Sequence, residues 1–165
     1  MYKLLMLLYW LSAFLTLAAF YGMNSLSEPV KNDDFGGGNG NPTLVIPFLL
    51  MPFVLYFFYG TIELSMRATS RWLSPRLSPR SIWIGILISA VYVATSSVYT
   101  LKKADAFRTY IVDTKDAYDN PEDFSLFTIF SNHIFFNPLT FVLVVMACFL
   151  AGSVWSLMRD VPKKK

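Results

Sequence analysis

Residues 43–66 read TLVIPFLLMPFVLYFFYGTIELSM, an apolar run with one charged residue, Glu63, near its end. About 20 apolar residues suffice to cross a hydrocarbon core about 30 Å thick as a helix. Three more stretches reach that length: Leu4–Met23, Ser81–Leu101 and Leu139–Met158, none of which carries a charge. The 165-residue chain is 55% hydrophobic and 15% charged, with 15 Phe, 9 Tyr and 4 Trp. Soluble domains carry about 25% charged residues. A soluble fold of this length has no interior large enough for so much apolar surface, whereas a bilayer has. The expected fold is therefore an all-α membrane protein, residues 1–165 forming a single integral domain. It is a four-transmembrane-helix bundle with a helical, partly interfacial outer segment, 102–137, between the third and fourth spans.

The first span begins behind Met1-Tyr2-Lys3, the position of a signal peptide. It is longer than a signal core of about 7–15 residues and lacks a small-x-small cleavage site, so it is expected to stay as a helix.

Charge sets the expected threading. If the N-terminus is cytoplasmic, the inner side holds Lys3, Arg67, Arg71, Arg76, Arg80, Arg159, Lys163, Lys164 and Lys165 against Asp160 alone. The outer side holds Lys31, Lys102, Lys103, Arg108 and Lys115, together with every remaining acid except Glu63. Basic excess marks the cytoplasmic face, so both termini are expected inside. The pI near 9.0 is then a topological signature and no sign of nucleic acid. The one Asn-x-Ser/Thr position, Asn41-Pro42-Thr43, is blocked by its proline. That favours a bacterial plasma membrane.

Between the second and third spans, Leu-Ser-Pro-Arg occurs twice, from Leu73 to Arg80. The pairs Asn41-Pro42, Ser78-Pro79, Asn120-Pro121 and Asn137-Pro138 each stand at an expected helix start. A Ser or Asn side chain caps the first free N–H groups, and proline suits the next position. The repeat therefore reads as a tight joint, with Ser74-Pro75 opening a short turn and the arginines touching anionic headgroups. The first outer loop, with its GGGNG run, reads as a flexible linker.

In the outer segment, Phe107, Tyr110, Ile111 and Tyr118 share a helical face, and Lys115 and Asp119 form an i,i+4 pair. Its second half is expected to be a helix opened at Asn120-Pro121, with Glu122 and Asp123 in the first turn. Phe124, Phe127, Phe130 and Ile134 form its apolar face and Ser125, Thr128 and Asn132 the polar stripe opposite. Such a helix lies in the membrane interface or caps the bundle.

The candidate functional residues follow from the same pattern. Glu63 is the one acid within a span, and Arg67 stands four residues on in the favourable order for an ion pair. An ion-paired anchor competes here with a transport or proton role. Pro47 and Pro52 inside the second span would free the carbonyls of Thr43 and Phe48, making either a hinge or a static kink. Ser89, Tyr92, Ser96 and Tyr99 follow helical spacing in the third span, as a pathway lining or as interhelical glue. Cys148, Gly152 and Ser156 put small residues on one face of the fourth, with Leu143, Leu150 and Leu157 opposite. Gly85 with Ser89, and Ala90 with Ala94, repeat the small-residue spacing in the third. His133 is the one histidine, Cys148 the one cysteine, and neither has partners spaced for a metal. No catalytic, cofactor-binding or metal-binding motif is present, and no cofactor is expected. The function expected is that of a non-catalytic accessory or immunity-type subunit, partnered by the bilayer and by another membrane protein or a second copy. A small oligomeric transporter or channel is the alternative, and a membrane enzyme the weakest reading.

Overall fold

The computed structural model describes residues 2–29, 41–73, 75–114 and 125–160. Their regular structure is all helical, with no strand among the described residues. Helix α1 spans Tyr2–Ser25. A 3₁₀ turn, Pro42–Leu44, leads into α2, Val45–Leu49, and α3 runs Met51–Ala68 with a π-helical turn at Thr69–Leu73. Helix α4 covers Pro79–Thr114, a 3₁₀ turn at Ile129–Ser131 precedes α5, Asn132–Phe135, and α6 covers Pro138–Asp160. Three helices are long and apolar enough to cross a membrane, and a fourth span results if the bent pair on either side of Leu50 counts as one.

The second span is thus broken where a hinge or kink was expected from Pro47 and Pro52, with the break itself at Leu50. The segments Pro42–Leu49 and Met51–Arg71 meet at 56°, with Leu50 at φ −90°, ψ 3°. The prolines dictate it. Pro52 falls in the first turn of α3, where a missing N–H leaves no carbonyl waiting, and Pro47 is the third residue of α2, close behind the 3₁₀ turn. Leu50 closes both sides of the break: its N–H donates to the Ile46 carbonyl (3.1 Å), and its own carbonyl accepts from Val54 (3.0 Å).

Two of the expected caps form as written. The Ser78 hydroxyl accepts from the Ser81 N–H at 3.2 Å. Asn137 and Thr140 cap reciprocally, Thr140 N–H to Asn137 Oδ1 (3.2 Å) and Asn137 N–H to Thr140 Oγ1 (3.0 Å). Asn41 differs: it makes no side-chain cap bond, because its amide is committed to Asn132 and Thr43. Asn120-Pro121, Ser74, the GGGNG loop, Lys115, Tyr118, Asp119, Glu122, Asp123, Phe124 and the three C-terminal lysines lie outside the described residues. The Leu73 carbonyl accepts from the N–H groups of Arg76 (3.0 Å) and Leu77 (2.8 Å). Ser78→Ala is expected to lower stability by about 0.5–2 kcal/mol while Ser78→Asp holds it. A phosphorylation site would show the reverse pattern, a functional split with no change in melting temperature.

The helices run alternately up and down. Helix α6 is central, with α3 on one side and α4 on the other, and α1 packs on α3. Helix α4 makes at most marginal contact with α1 and α3. The bundle is therefore open at α4 instead of a closed square.

The packing is inverted relative to a water-soluble protein. Buried positions recur at helical spacing and are mostly hydroxyls: Ser12 and Thr16 in α1, then Thr61, Ser65 and Thr69, and Ser89, Ser96 and Thr100 in α4. Among the described residues no charged side chain is buried, while Trp10, Phe14, Leu55, Trp83, Leu87 and Trp155 are exposed. Large apolar groups outside and small polar ones inside suit a lipid solvent, where close packing and hydrogen bonds hold helices together. The hydroxyls are satisfied largely by their own helices: Thr16 donates to the Ser12 carbonyl, Thr61 to Phe57 and Ser65 to Thr61, each at 2.7 Å. Thr69 and Ser153 join α3 to α6 directly at 2.9 Å. An aromatic spine crosses the bundle as Tyr9–Phe57–Phe141–Phe20, with centroids 5.4–6.1 Å apart.

Helix α4, at 36 residues, is about 54 Å long at 1.5 Å per residue, so its last third projects past the bundle as the third span was expected to. The second half of the outer segment departs from expectation. Residues 125–128 are not helical, and Thr128 is extended at φ −111°, ψ 169°. The Thr128 N–H donates to the Ser131 hydroxyl at 3.0 Å, the returning half of a capping box, and the helix starts at Ile129. Of the expected polar stripe, Thr128 and Asn132 are turned inward, each 1% exposed, while Ser125 is exposed. The described part of the segment caps the bundle end.

Candidate functional site

Two cavities mark the ends of the bundle, and between them lie most of the residues singled out from sequence. The first sits at the end where α1 begins and α6 finishes. It encloses about 310 Å³ between α3 and α6, lined by Glu63, Met66, Arg67, Ser70, Arg71, Ser156 and Arg159. Glu63 accepts from the Arg67 guanidinium one helical turn away, and the pair is half exposed. Among the described residues it is the one ion pair, so Arg71 and Arg159 have no acidic partner there. On the far side of the pair a groove of about 260 Å³ runs between α1 and α3, walled by Tyr9, Trp10, Tyr59 and Leu64. Gly60 makes this groove possible: a Cβ there would lie 2.6 Å from the Tyr9 ring. The Tyr9 hydroxyl meets Thr61 at 3.1 Å, and Tyr56 donates to the Leu5 carbonyl.

The small-residue face of α6 lies against α3 within the chain. A Cβ on Gly152 would collide with the Ile62 carbonyl and come within 2.9 Å of Ser65 Cβ. Ser153, Ser156 and Cys148 are buried beside it. Leu143, Leu150 and Leu157, expected on the open face, are half-buried because α6 is packed on two sides.

In α4 the structure divides the hydroxyl stripe. Ser89 and Ser96 are buried, and Ser89 donates to the Gly85 carbonyl at 2.9 Å. Tyr92 reaches the Leu139 carbonyl at 3.4 Å, and Tyr99 is 58% exposed. Gly85 has nothing within 4 Å of its Cβ position, and Ala94 is exposed. Gly85 and Ala94 therefore serve no close contact among the described residues.

The second cavity, at the loop end, measures about 620 Å³ and is lined by Ser96, Tyr99, Thr100, Lys103, His133 and Asn137, among others. His133 Nδ1 stands 3.0 Å from the Ser27 hydroxyl, and its ring meets Phe107 edge-on. A serine and a histidine at this distance raise nucleophilic catalysis, but the Ser27 proton is contested by the carbonyls of Phe130 (3.1 Å) and Ile129 (3.4 Å). Ser27 also accepts from the His133 N–H. The pair ties the end of α1 to α5, and among the described residues no acid orients the ring. Nor do three His, Cys, Asp or Glu side chains gather for a metal among them.

Sequence reasoning missed Arg159 and Ser70 as companions of Glu63 and Arg67, and it missed Ser27 and Asn132 as anchors. Arg159 was findable, since the charge tally already set it at the same membrane face as Arg67 and Arg71. No protein-family profile, curated protein or solved structure matches the chain.

Proposed function

We propose that the chain is a non-catalytic, multi-pass subunit of a bacterial plasma membrane, of the accessory or immunity type. It crosses the bilayer four times, the bent pair counting as one span, with both termini cytoplasmic. It binds another membrane protein or a second copy of itself through α4. The observation that supports this most is the placement of α4 at the open edge, with Gly85 facing empty space. A mid-helix glycine costs about 0.5–1 kcal/mol relative to alanine. Nothing among the described residues repays that cost, whereas a helix from a partner packing closely at Gly85 would.

Purification from native membranes in mild detergent tests the reading. A partner of fixed stoichiometry is expected, lost in Gly85→Leu while the melting temperature of the isolated chain does not fall. A chain that purifies alone, with Gly85→Leu silent in cells, would sink it. Substrate-dependent flux in liposomes, abolished by Glu63→Gln, would instead support the transport reading. For the threading, cysteines at Glu28 and Arg76 in a Cys148→Ser background are expected to label from opposite sides of intact cells, Glu28 from outside. Labelling of Arg76→Cys from outside would reverse the orientation.

A further inference from the structure

The cavity between the ends of α3 and α6 has the chemistry of an anion site. Arg67 and Arg71 come from α3 and its π-helical turn, and Arg159 from the last turn of α6. They meet around about 310 Å³ with Ser70 and Ser156. Glu63 answers one arginine and leaves two cationic forks uncompensated among the described residues. Guanidinium forks suit the paired oxygens of a phosphate better than a lone carboxylate oxygen or a neutral group. The three arginines are held by helices that Thr69–Ser153 and Gly152 lock together, so they converge without the entropy of ordering a loop.

The apolar groove beside it decides the source of the phosphate. Glu63 and Arg67 line both spaces. A ligand whose anionic group enters the arginine cavity therefore has a hydrocarbon trough beside that group, walled by Tyr9, Trp10, Tyr59 and Leu64. Trp10 and Tyr59 are more than 60% exposed along it. Aromatic side chains of this kind sit at the headgroup level of a bilayer. A soluble phosphate would use the arginines and leave the trough empty. We propose that this paired cavity is a binding site for one anionic phospholipid, its phosphate held by Arg71, Arg159 and the outward side of Arg67, and an acyl chain lying in the α1–α3 groove.

The site makes the lipid a clamp across three helices. Headgroup contacts bridge α3 and α6, and the chain bridges α3 and α1. Basic pockets between spans at a membrane face are where specific anionic lipids are retained. The π-helical turn at Thr69–Leu73 contributes by carrying Ser70 and Arg71 toward α6, with Thr69 anchoring it to Ser153.

The test is lipid retention by the full chain, read by native mass spectrometry after exchange into nanodiscs of equal phosphatidylglycerol and phosphatidylcholine. Wild type is expected to keep phosphatidylglycerol over phosphatidylcholine by about tenfold or more, given two free arginines. Arg71→Gln with Arg159→Gln should abolish the preference. Arg76→Gln with Arg80→Gln removes the same charge from the same end outside the cavity and should leave it intact. Leu64→Lys, placed in the groove wall, should reduce retention although it adds positive charge. Equal retention of the two lipids, or equal loss in both arginine pairs, would overturn the proposal by reducing it to diffuse surface charge. So would inorganic phosphate at millimolar concentration displacing the lipid fully, or a Leu64→Lys chain that retains more. A chain that unfolds in the Arg71/Arg159 variant is replaced by the Arg71→Lys, Arg159→Lys pair. That pair keeps the charge without the forks and is expected to hold a preference smaller than wild type; an undiminished one would also count against the site.

Discussion

Gly152→Leu unfolds the protein or lowers its stability by at least about 3 kcal/mol, at or beyond the upper end of ordinary overpacking costs. The reason is what surrounds the glycine. Its missing Cβ points at the Ile62 carbonyl, with Met66 N at 3.0 Å and Ser65 Cβ at 2.9 Å. Two of these three neighbours are backbone atoms of α3, and backbone cannot rotate aside as a side chain can. A leucine must therefore push α6 off α3, which breaks the Thr69–Ser153 bond between fully buried hydroxyls. Each hydroxyl would then be left in an apolar environment without a partner, an added cost of about 1–3 kcal/mol. Leu143→Ala, on a half-buried flank, should cost less. Gly85→Leu should leave the isolated chain as stable or slightly more so, because leucine is the better helix former and nothing lies in its way. Thermal unfolding in detergent ranks the three. Cys148, buried on the same face as Gly152, supplies a second readout: maleimide should react slowly in wild type and quickly in Gly152→Leu. An unchanged melting curve with unchanged Cys148 reactivity would mean that α3 and α6 do not touch as described.

The elements legible in the sequence were those governed by local chemistry. Apolar runs located α1, α4 and α6, and the Ser78 and Asn137 caps fixed two helix starts, because capping depends on residues three apart. The extension of α4 past the third span followed from the Phe107–Ile111 periodicity. Prolines were harder to place. From sequence, Pro47 and Pro52 interrupt a helix. In the structure the chain breaks at Leu50, which lets Pro52 occupy the first turn of α3, and Pro47 is the third residue of α2. The hydroxyls of the third span show the same limit. Periodicity set Ser89 and Ser96 on one stripe with Tyr92 and Tyr99, yet only the position of α6 decides that the serines are covered and Tyr99 is not. Partnerships across the bundle, such as Glu63–Arg67 with Arg159, or Ser27 with His133, depend on how helices stack and leave no mark in local spacing. The place of the capping segment stayed open between interface and bundle end for a related reason. An uncharged polar stripe suits a face for headgroups and the inside of a hydrogen-bonded joint equally well.

That joint carries the second large effect. Asn41, Thr43 and Asn132 close a ring: Asn41 Nδ2 donates to Asn132 Oδ1 (2.6 Å), Asn132 Nδ2 to Thr43 Oγ1 (2.9 Å), and Thr43 Oγ1 to Asn41 Oδ1 (2.5 Å). Asn132 is 1% exposed and Thr43 is 9% exposed, so water cannot substitute for a lost partner. The ring fastens the entry to the bent second span to α5. Asn24 does the same for α1, donating to the Phe136 carbonyl at 2.6 Å. Asn132→Leu fills a similar volume but leaves the Asn41 amide unpaired and deprives Thr43 of its donor. With about 1–3 kcal/mol for each orphaned group, the loss should reach roughly 2–4 kcal/mol. Thr43→Val on its own should cost less. The double variant should cost less than the sum of the two, because they act on one network. Hydrogen exchange gives the spatial check: in Asn132→Leu the amides of 128–136 should lose protection together, while those in the middle of α6 keep theirs. A segment lying on the membrane surface with Asn132 toward the headgroups would respond in the opposite way, since leucine would then deepen its insertion. Neutral or increased stability in Asn132→Leu, with protection unchanged over 128–136, would therefore remove α5 from the bundle end and return it to the membrane interface.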